Sequence, residues 1–192
     1  MLRECYWLTK PGIIYGNALT ATGGFLLAAK WQIDLSLFAA TIGGTCLVIA
    51  SACVINNYID RGIDKQMART QRRATVTGKI SGPWAIIYGL ALGISGFALL
   101  VLFTNALVAL IGLAAYIDYI VLYGVSKRAS VHGTLVGSIA GAAPPVAGYC
   151  AVTGRLDLGA LIIFLIMVCW QMVHFYAIAI RRADEYRAAK IP

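Results

Sequence analysis

Polar residues divide this chain into six apolar stretches, each long enough to cross a bilayer core of about 30 Å as a helix. They run from Ile13 to Ala29, Leu35 to Ile59, Trp84 to Phe103, Leu107 to Val125, Val131 to the turn at Gly154, and Leu158 to Ile180. Pro11 stands where a helix tolerates a missing N–H. The break at Thr104-Asn105 is short enough to predict an antiparallel pair for the third and fourth stretches. Asn17, Thr20 and Thr22 make the first stretch the most polar, and in lipid such groups need internal partners, so it is predicted to face the protein interior. Three small-residue runs, Gly43-Gly44, Gly89/Gly93/Gly96 and Gly133/Gly137/Gly141, predict faces where helices approach closely. Pro144-Pro145 is predicted to break or kink the fifth helix and leave a cavity beside it, because freed carbonyls in a membrane must be buried or face a cavity. The pattern predicts an all-α, polytopic transmembrane helical bundle forming one membrane domain over residues 1–192.

Composition agrees: 60% of residues are hydrophobic and 12% charged, outside the range of ordinary soluble domains. A net charge of +8 raises the question of nucleic acid, but its distribution excludes that reading. Fourteen of the sixteen Lys and Arg residues lie before the first stretch or after the second, fourth and sixth, leaving Lys30 and Arg155 on the other side. By the positive-inside rule, the N-terminus and the loops after the even-numbered stretches face the cytoplasm. Met1–Gly12 lacks the pattern of a signal peptide and reads as a mature cytoplasmic end. Five cysteines without C-x-x-C spacing read as small packing residues.

Charge chemistry concentrates where the second stretch ends. Asn56, Asp60 and Asp64 recur every four residues, so on a helix each step turns about 400° and the three stay within about 80° of one another. Two acids that close repel unless a cation lies between them, and hard oxygen donors suit Mg²⁺, which takes the rest of its shell from water and substrate phosphates. Arg61, Lys65, Arg69, Arg72 and Arg73 follow as charge for an anion. The competing reading is a helix end with ordinary i,i+4 surface pairs, each worth a few tenths of a kcal/mol. The polar segment from Asp60 to Pro83 is the longest in the chain, a length and charge that mark functional or disordered loops, and its tail from Thr75 to Pro83 has the turn residues of a lid or a re-entry into the third stretch.

Further candidates lie on the later stretches. Tyr119, Tyr123 and Lys127 share a helical face and could meet a phosphate, or serve only as an interfacial aromatic pair and a snorkelling lysine. Asp118 is an acid within the bilayer with no partner identifiable from sequence. Gln171 and His174 share a face at i+3. After the sixth stretch, Asp184 and Glu185 stand beside arginines and repeat the logic of the second, suggesting a second Mg²⁺ site or the far side of the same diphosphate.

Asn56-x-x-x-Asp60-x-x-x-Asp64 after a second membrane stretch, with an acidic cluster after a sixth, resembles the UbiA superfamily of intramembrane prenyltransferases. Thr9-Lys-Pro-Gly-Ile13, Asn56-Asn-Tyr-Ile-Asp-Arg-x-Ile-Asp64, Arg69-Thr, Gly141-Ala-Ala-Pro-Pro-Val-x-Gly-Tyr149, Trp170-Gln-Met-x-His-Phe175 and Ala-x-Ile-Pro192 are similar to its haem O synthase (protoheme IX farnesyltransferase) branch. The chain departs from that pattern at Val173 in place of Pro, at Arg73-Ala-Thr in place of Arg-Pro-Leu, and at Glu185 in place of Asp. The branch has about nine spans against the six here, so the domain is expected to be C-terminally incomplete. The resemblance implies a Mg²⁺-dependent transfer of farnesyl from farnesyl diphosphate to a vinyl group of haem B. It implies catalytic roles for Asn56, Asp60, Asp64 and His174. Substrate contacts would come from Arg69, Arg72, Arg73, Lys127, Tyr123 and Gln171, and metal ligation from Asp60, Asp64, Asp184 and Glu185. A multi-pass protein of the cell inner membrane is expected. The alternatives are a UbiA enzyme with an aromatic quinone precursor as acceptor, and a transporter or inactive truncated membrane protein.

Overall fold

Every regular element among the described residues is helical, and six of the helices are long and apolar enough to cross a membrane. The computed structural model describes residues 1–68 and 70–188, apart from the side chains of Glu185, Tyr186 and Ala188. A short helix α1 (Leu2–Leu8) precedes α2 (Pro11–Ala29) and α3 (Leu35–Ile59). Two single turns, α4 (Arg61–Asp64) and α5 (Ala74–Thr77), lead to α6 (Gly82–Phe103). The fourth span is α7 (Ala106–Ile117), a π-helical turn (Asp118–Leu122) and α8 (Tyr123–Ala129); then come α9 (Gly133–Thr153), α10 (Leu158–Arg181) and α11 (Ala183–Ala188).

Local chemistry explains the ends. Asp34, Asn105 and Asp157 accept hydrogen bonds from the first-turn N–H groups of α3, α7 and α10, satisfying donors that the helix leaves open. Proline begins α2, as the sequence predicts. The fourth span runs to Ala129, four residues beyond the predicted end, which places Lys127 and Arg128 in its last turn.

Two packings dominate. Along α3 and α6 the Gly89/Gly93/Gly96 face meets Ile55, Ser51 and Val48, and a Cβ on Gly96 would lie 2.8 Å from the Val48 backbone nitrogen. Ser51 sits at this contact, donating to the Gly89 carbonyl at 2.7 Å, with the Tyr116 hydroxyl 3.0 Å away. Helices α2 and α9 approach as closely: a Cβ on Gly24 would lie 2.0 Å from the Pro145 carbonyl oxygen, and one on Gly148 2.1 Å from that of Ala21. The predicted glycine run on α9 behaves differently. Gly133 meets the Lys127 backbone, whereas Gly137 and Gly141 accommodate the Tyr123 ring and the Gln171 amide. Of the break or kink predicted at Pro144-Pro145, the break does not occur. Helix α9 continues through both prolines, because loss of two N–H donors is met by dense packing against α2 on one side and a cavity on the other.

Phe25, Val48, Leu100, Val108, Val146 and Cys150 form the main core from five spans. A second cluster, Leu8, Val54, Ala74, Ile80 and Ala85, fastens the segment after α3 over the end of the bundle. Thr70 donates to the Asp64 carbonyl and Asn57 to the Leu8 carbonyl at 2.7 Å. The predicted lid is therefore a packed strap. All five thiols are free, with Cys53 and Cys150 buried, Cys5 and Cys46 partly so, and Cys169 exposed on α10.

Candidate active site

The site is built on the end of α3. The helix stops at Ile59, Asp60 caps it with near-helical φ −83° and ψ 0°, and the α4 turn carries the chain to Asp64. The four-residue spacing thus survives the end of the helix. Both carboxylates are buried, Asp60 at 7% and Asp64 at 4% exposure, and each is neutralised separately. Asn56 Nδ2 donates to Asp60 at 2.9 Å, Lys127 Nζ binds the same carboxylate and also reaches Asn56 Oδ1 at 3.3 Å, and Arg128 holds the second Asp60 oxygen at 2.7 Å. Asp64 is held by Arg73 at 2.6 Å. Burial alone would raise the Asp60 carboxyl, but the hydrogen bonds and charges of Lys127 and Arg128 outweigh it and keep the group below the usual carboxylate range.

Two cations here escape the sequence reading. Arg128 lies off the face that i,i+4 spacing defines for Tyr119, Tyr123 and Lys127; the π-helical turn redistributes that face so that both Lys127 and Arg128 reach Asp60. Lys10 lies between α1 and α2 with a left-handed φ of 57°. Its ammonium is placed among Cys53, Arg73, Asp60 and Asp64, and burial pulls it down to about 8 despite the two carboxylates. Its position in Thr9-Lys-Pro-Gly was a signal, but its direction follows from that backbone angle. Lys10, Arg73, Lys127 and Arg128 against Asp60 and Asp64 leave this rim with two surplus positive charges.

The other sequence candidates divide. Tyr123 stacks on Tyr119 with ring centroids 5.6 Å apart, and the Lys127 ammonium lies 5.1 Å from its ring, so Tyr123 orients Lys127. Asp118 does have a partner: its Oδ2 accepts the Ala140 N–H at 3.2 Å. Arg72 is exposed in a groove with Glu4 and Trp7. Arg69 and the side chain of Glu185 lie outside the described residues. Asp184 is not brought to the rim; its carboxylate is 97% exposed and pairs with Arg187 at 2.9 Å, on a helix α11 that follows directly on α10. Among the described residues no three His, Cys, Asp or Glu side chains gather as a metal site. The donors that do fit Mg²⁺ are the Asp60 and Asp64 carboxylates and the Asn56 amide oxygen, a set suited to an ion that draws its remaining ligands from water and phosphate oxygens.

Below the rim, an apolar cavity of about 370 Å³ opens between α2, α3, α7, α9 and α10. Asn17 and Thr20 of the first span line it, as does Pro144. Gln171 and His174 stand on the α10 wall, Gln171 buried and His174 exposed with its ring stacked on Trp170 at 5.0 Å.

This is a polytopic helical membrane protein that sets buried acids and surplus cations over an apolar cavity, an arrangement suited to a ligand with an anionic head and an apolar body. Comparison with known proteins gives the class a name. The profile of the UbiA prenyltransferase family matches residues 17–192, and the chain belongs to that family. It is 54% identical over its whole length to protoheme IX farnesyltransferase 1 of Shewanella frigidimarina and 53% identical to protoheme IX farnesyltransferase of Sodalis glossinidius. It spans 63% and 65% of the length of those relatives. Its fold is similar to two structures of a UbiA homologue from Archaeoglobus fulgidus, bound to GPP and Mg²⁺ and to DMAPP and Mg²⁺. Their TM-scores are 0.84 and 0.85 at 18% identity, covering 98% of this chain and 66% and 67% of those chains.

Proposed function

We propose that this chain carries the site of a haem O synthase, transferring farnesyl from farnesyl diphosphate to a vinyl group of haem B at the cytoplasmic side of the cell inner membrane. The observation that carries the reading is the surplus-positive rim directly above an apolar cavity. The names of the relatives supply the acceptor, and the basic residues on one side supply the orientation.

In this reading Lys10, Arg73, Lys127 and Arg128 hold the diphosphate, and Tyr123 aims Lys127. Asp60 and Asp64, with the Asn56 amide, would hold Mg²⁺, whose charge adds to that of the cations facing the leaving group. The cations now paired with the carboxylates then turn to the diphosphate oxygens. Stabilisation is placed where charge develops as the allylic C–O bond breaks. The apolar walls keep bulk water from the farnesyl cation until the vinyl group attacks, and the resulting haem-side cation takes up water. His174 and Trp170 present flat faces to the porphyrin.

The test is to express the chain in membranes, supply farnesyl diphosphate and Mg²⁺ together with haem B and an aromatic quinone-precursor acid, and follow the prenylated products of both by mass spectrometry. Magnesium-dependent haem O supports the reading. Prenylation of an aromatic acid with haem B untouched would replace the acceptor, and no product from either would refute catalysis by this chain.

A further inference from the structure

Two side-chain groups on the cavity wall are buried without a hydrogen-bond partner: Thr45 Oγ1 and Gln171 Nε2. Their depths differ. Thr45 lies fifteen residues before Asp60 on α3, about 22 Å from the rim and beside the apolar Leu100 end of the cavity. Gln171 rests against Gly141, eight residues or about 12 Å into α9. That is also about the distance of Tyr119 from Lys127, so the amide lies about 12 Å below the cations that face the diphosphate, at roughly half the depth of Thr45.

Gln171 is 4% exposed, and its Oε1 occupies the space that a Cβ on Gly141 would need, 2.0 Å away. Four residues after Ala140 and Gly141 stand Pro144 and Pro145, which bring no N–H to the carbonyls of those two residues. An unpartnered amide donor beside carbonyls without their helical donors provides the two to four polar partners that a single buried water requires.

We infer that Gln171 holds the water that ends the reaction, an inference resting on the haem-prenylating reading above. Farnesyl C1 bonds to the outer vinyl carbon as diphosphate leaves, and the positive charge moves to the vinyl carbon next to the ring. Gln171 Nε2 donates to a water whose own hydrogens go to the freed carbonyls, leaving a lone pair for that carbon. The C–O bond forms, the added water gives up one proton to solvent through the cavity mouth, and the diphosphate released at the rim carries the balancing negative charge. Without a held water the same cation loses a proton from the adjacent CH₂ and gives an alkene, one water lighter. An amide suits this position because it orients water but is too weak a base to take that CH₂ proton, as an imidazole or carboxylate would.

The experiment follows both products of haem B and farnesyl diphosphate by mass spectrometry in H₂¹⁸O, using the chain in membranes. Gln171→Leu should lower the ratio of hydroxylated, ¹⁸O-labelled product to alkene about tenfold, the order expected from one lost hydrogen bond to the reacting water. Gly141→Ala, which displaces the amide without altering it, should shift the ratio the same way, while Thr45→Val should not. An unchanged ratio in both Gln171→Leu and Gly141→Ala, or a shift in Thr45→Val alone, overturns the assignment while leaving haem prenylation intact. If both variants bind haem but make neither product, Gln171 is a substrate contact and the assignment also fails. No prenylated haem from the unsubstituted chain removes the underlying reading, and this inference with it.

Discussion

Asp60 shows how a single residue can be legible in sequence and still be misjudged in context. Its spacing from Asn56 and Asp64 indicated a shared face, but not that Lys127 and Arg128 from a span nearly seventy residues on would hold it. Asp60→Asn or Asp64→Asn should lower haem O formation by about 10²-fold or more, the scale of losing one preorganised charge at a transition state, at unchanged protein level in the membrane. Normal turnover would remove both from the site. The ion pair also predicts a pH dependence. Asp60 has a depressed folded value, so the stability it contributes is complete above the usual carboxylate range and is lost as pH falls through that depressed value. Lys127→Ala should cost about 2 kcal/mol at neutral pH, less than the 3–5 of a lone buried pair because Arg128 remains. It should also flatten the acid-side decline. Thermal midpoints in detergent from about pH 7 to about pH 2 check this, and an undiminished acid slope would count against the pairing.

At the scale of elements, the glycine patterns were readable as packing faces but not as particular contacts. Gly43 and Gly44 look alike in sequence. A Cβ on Gly43 would come no closer than 4.0 Å to Leu99, whereas one on Gly44 would meet Leu100 at 2.6 Å, and one on Gly96 would meet backbone. Gly96→Ala should therefore cost about 1–3 kcal/mol, read as a lowered thermal midpoint, and Gly43→Ala should be tolerated. Equal effects would show that α3 and α6 do not meet along this face. The π-helical turn makes a sharper prediction. A π turn holds one residue more than an α turn over nearly the same rotation, so removing Ile120 should let the helix become regular while Lys127 and Arg128 keep their direction. Affinity for inorganic diphosphate in the presence of Mg²⁺ should then be retained. A fall of about tenfold, as for loss of charge-assisted hydrogen bonds, would mean that the turn sets their direction in some other way.

For the whole molecule, the rim and the cavity are joined because α2, α3, the fourth span, α9 and α10 each contribute to the cavity wall. The outward face of α10, with Leu161, Ile162, Leu165, Ile166 and Val173, is exposed, as suits a surface facing lipid or another apolar helix. The acids are neutralised by the very cations that would hold diphosphate, so metal and anion should bind cooperatively. Mg²⁺ together with inorganic diphosphate should raise the thermal midpoint by more than the sum of the two alone, and chelating the metal should return it to the value with diphosphate only. Strictly additive shifts would separate the two sites.

The sequence alone determined the helical class, the six spans, the one-sided basic charge and the Asn56–Asp60–Asp64 face. These depend on local periodicity and composition, and a helix in lipid must satisfy its own backbone whatever its neighbours are. The cavity beside Pro144 followed from the same backbone requirement. Tertiary structure decided which charges meet. It brought Lys10 in through a left-handed backbone angle and Arg128 through a π-helical turn. It gave Asp118 the Ala140 N–H and Gln171 the space over Gly141, and it left Asp184 on the surface. Those outcomes depend on helix rotation and depth, which vary with single-residue changes in phase that no periodicity averaged over a whole span records.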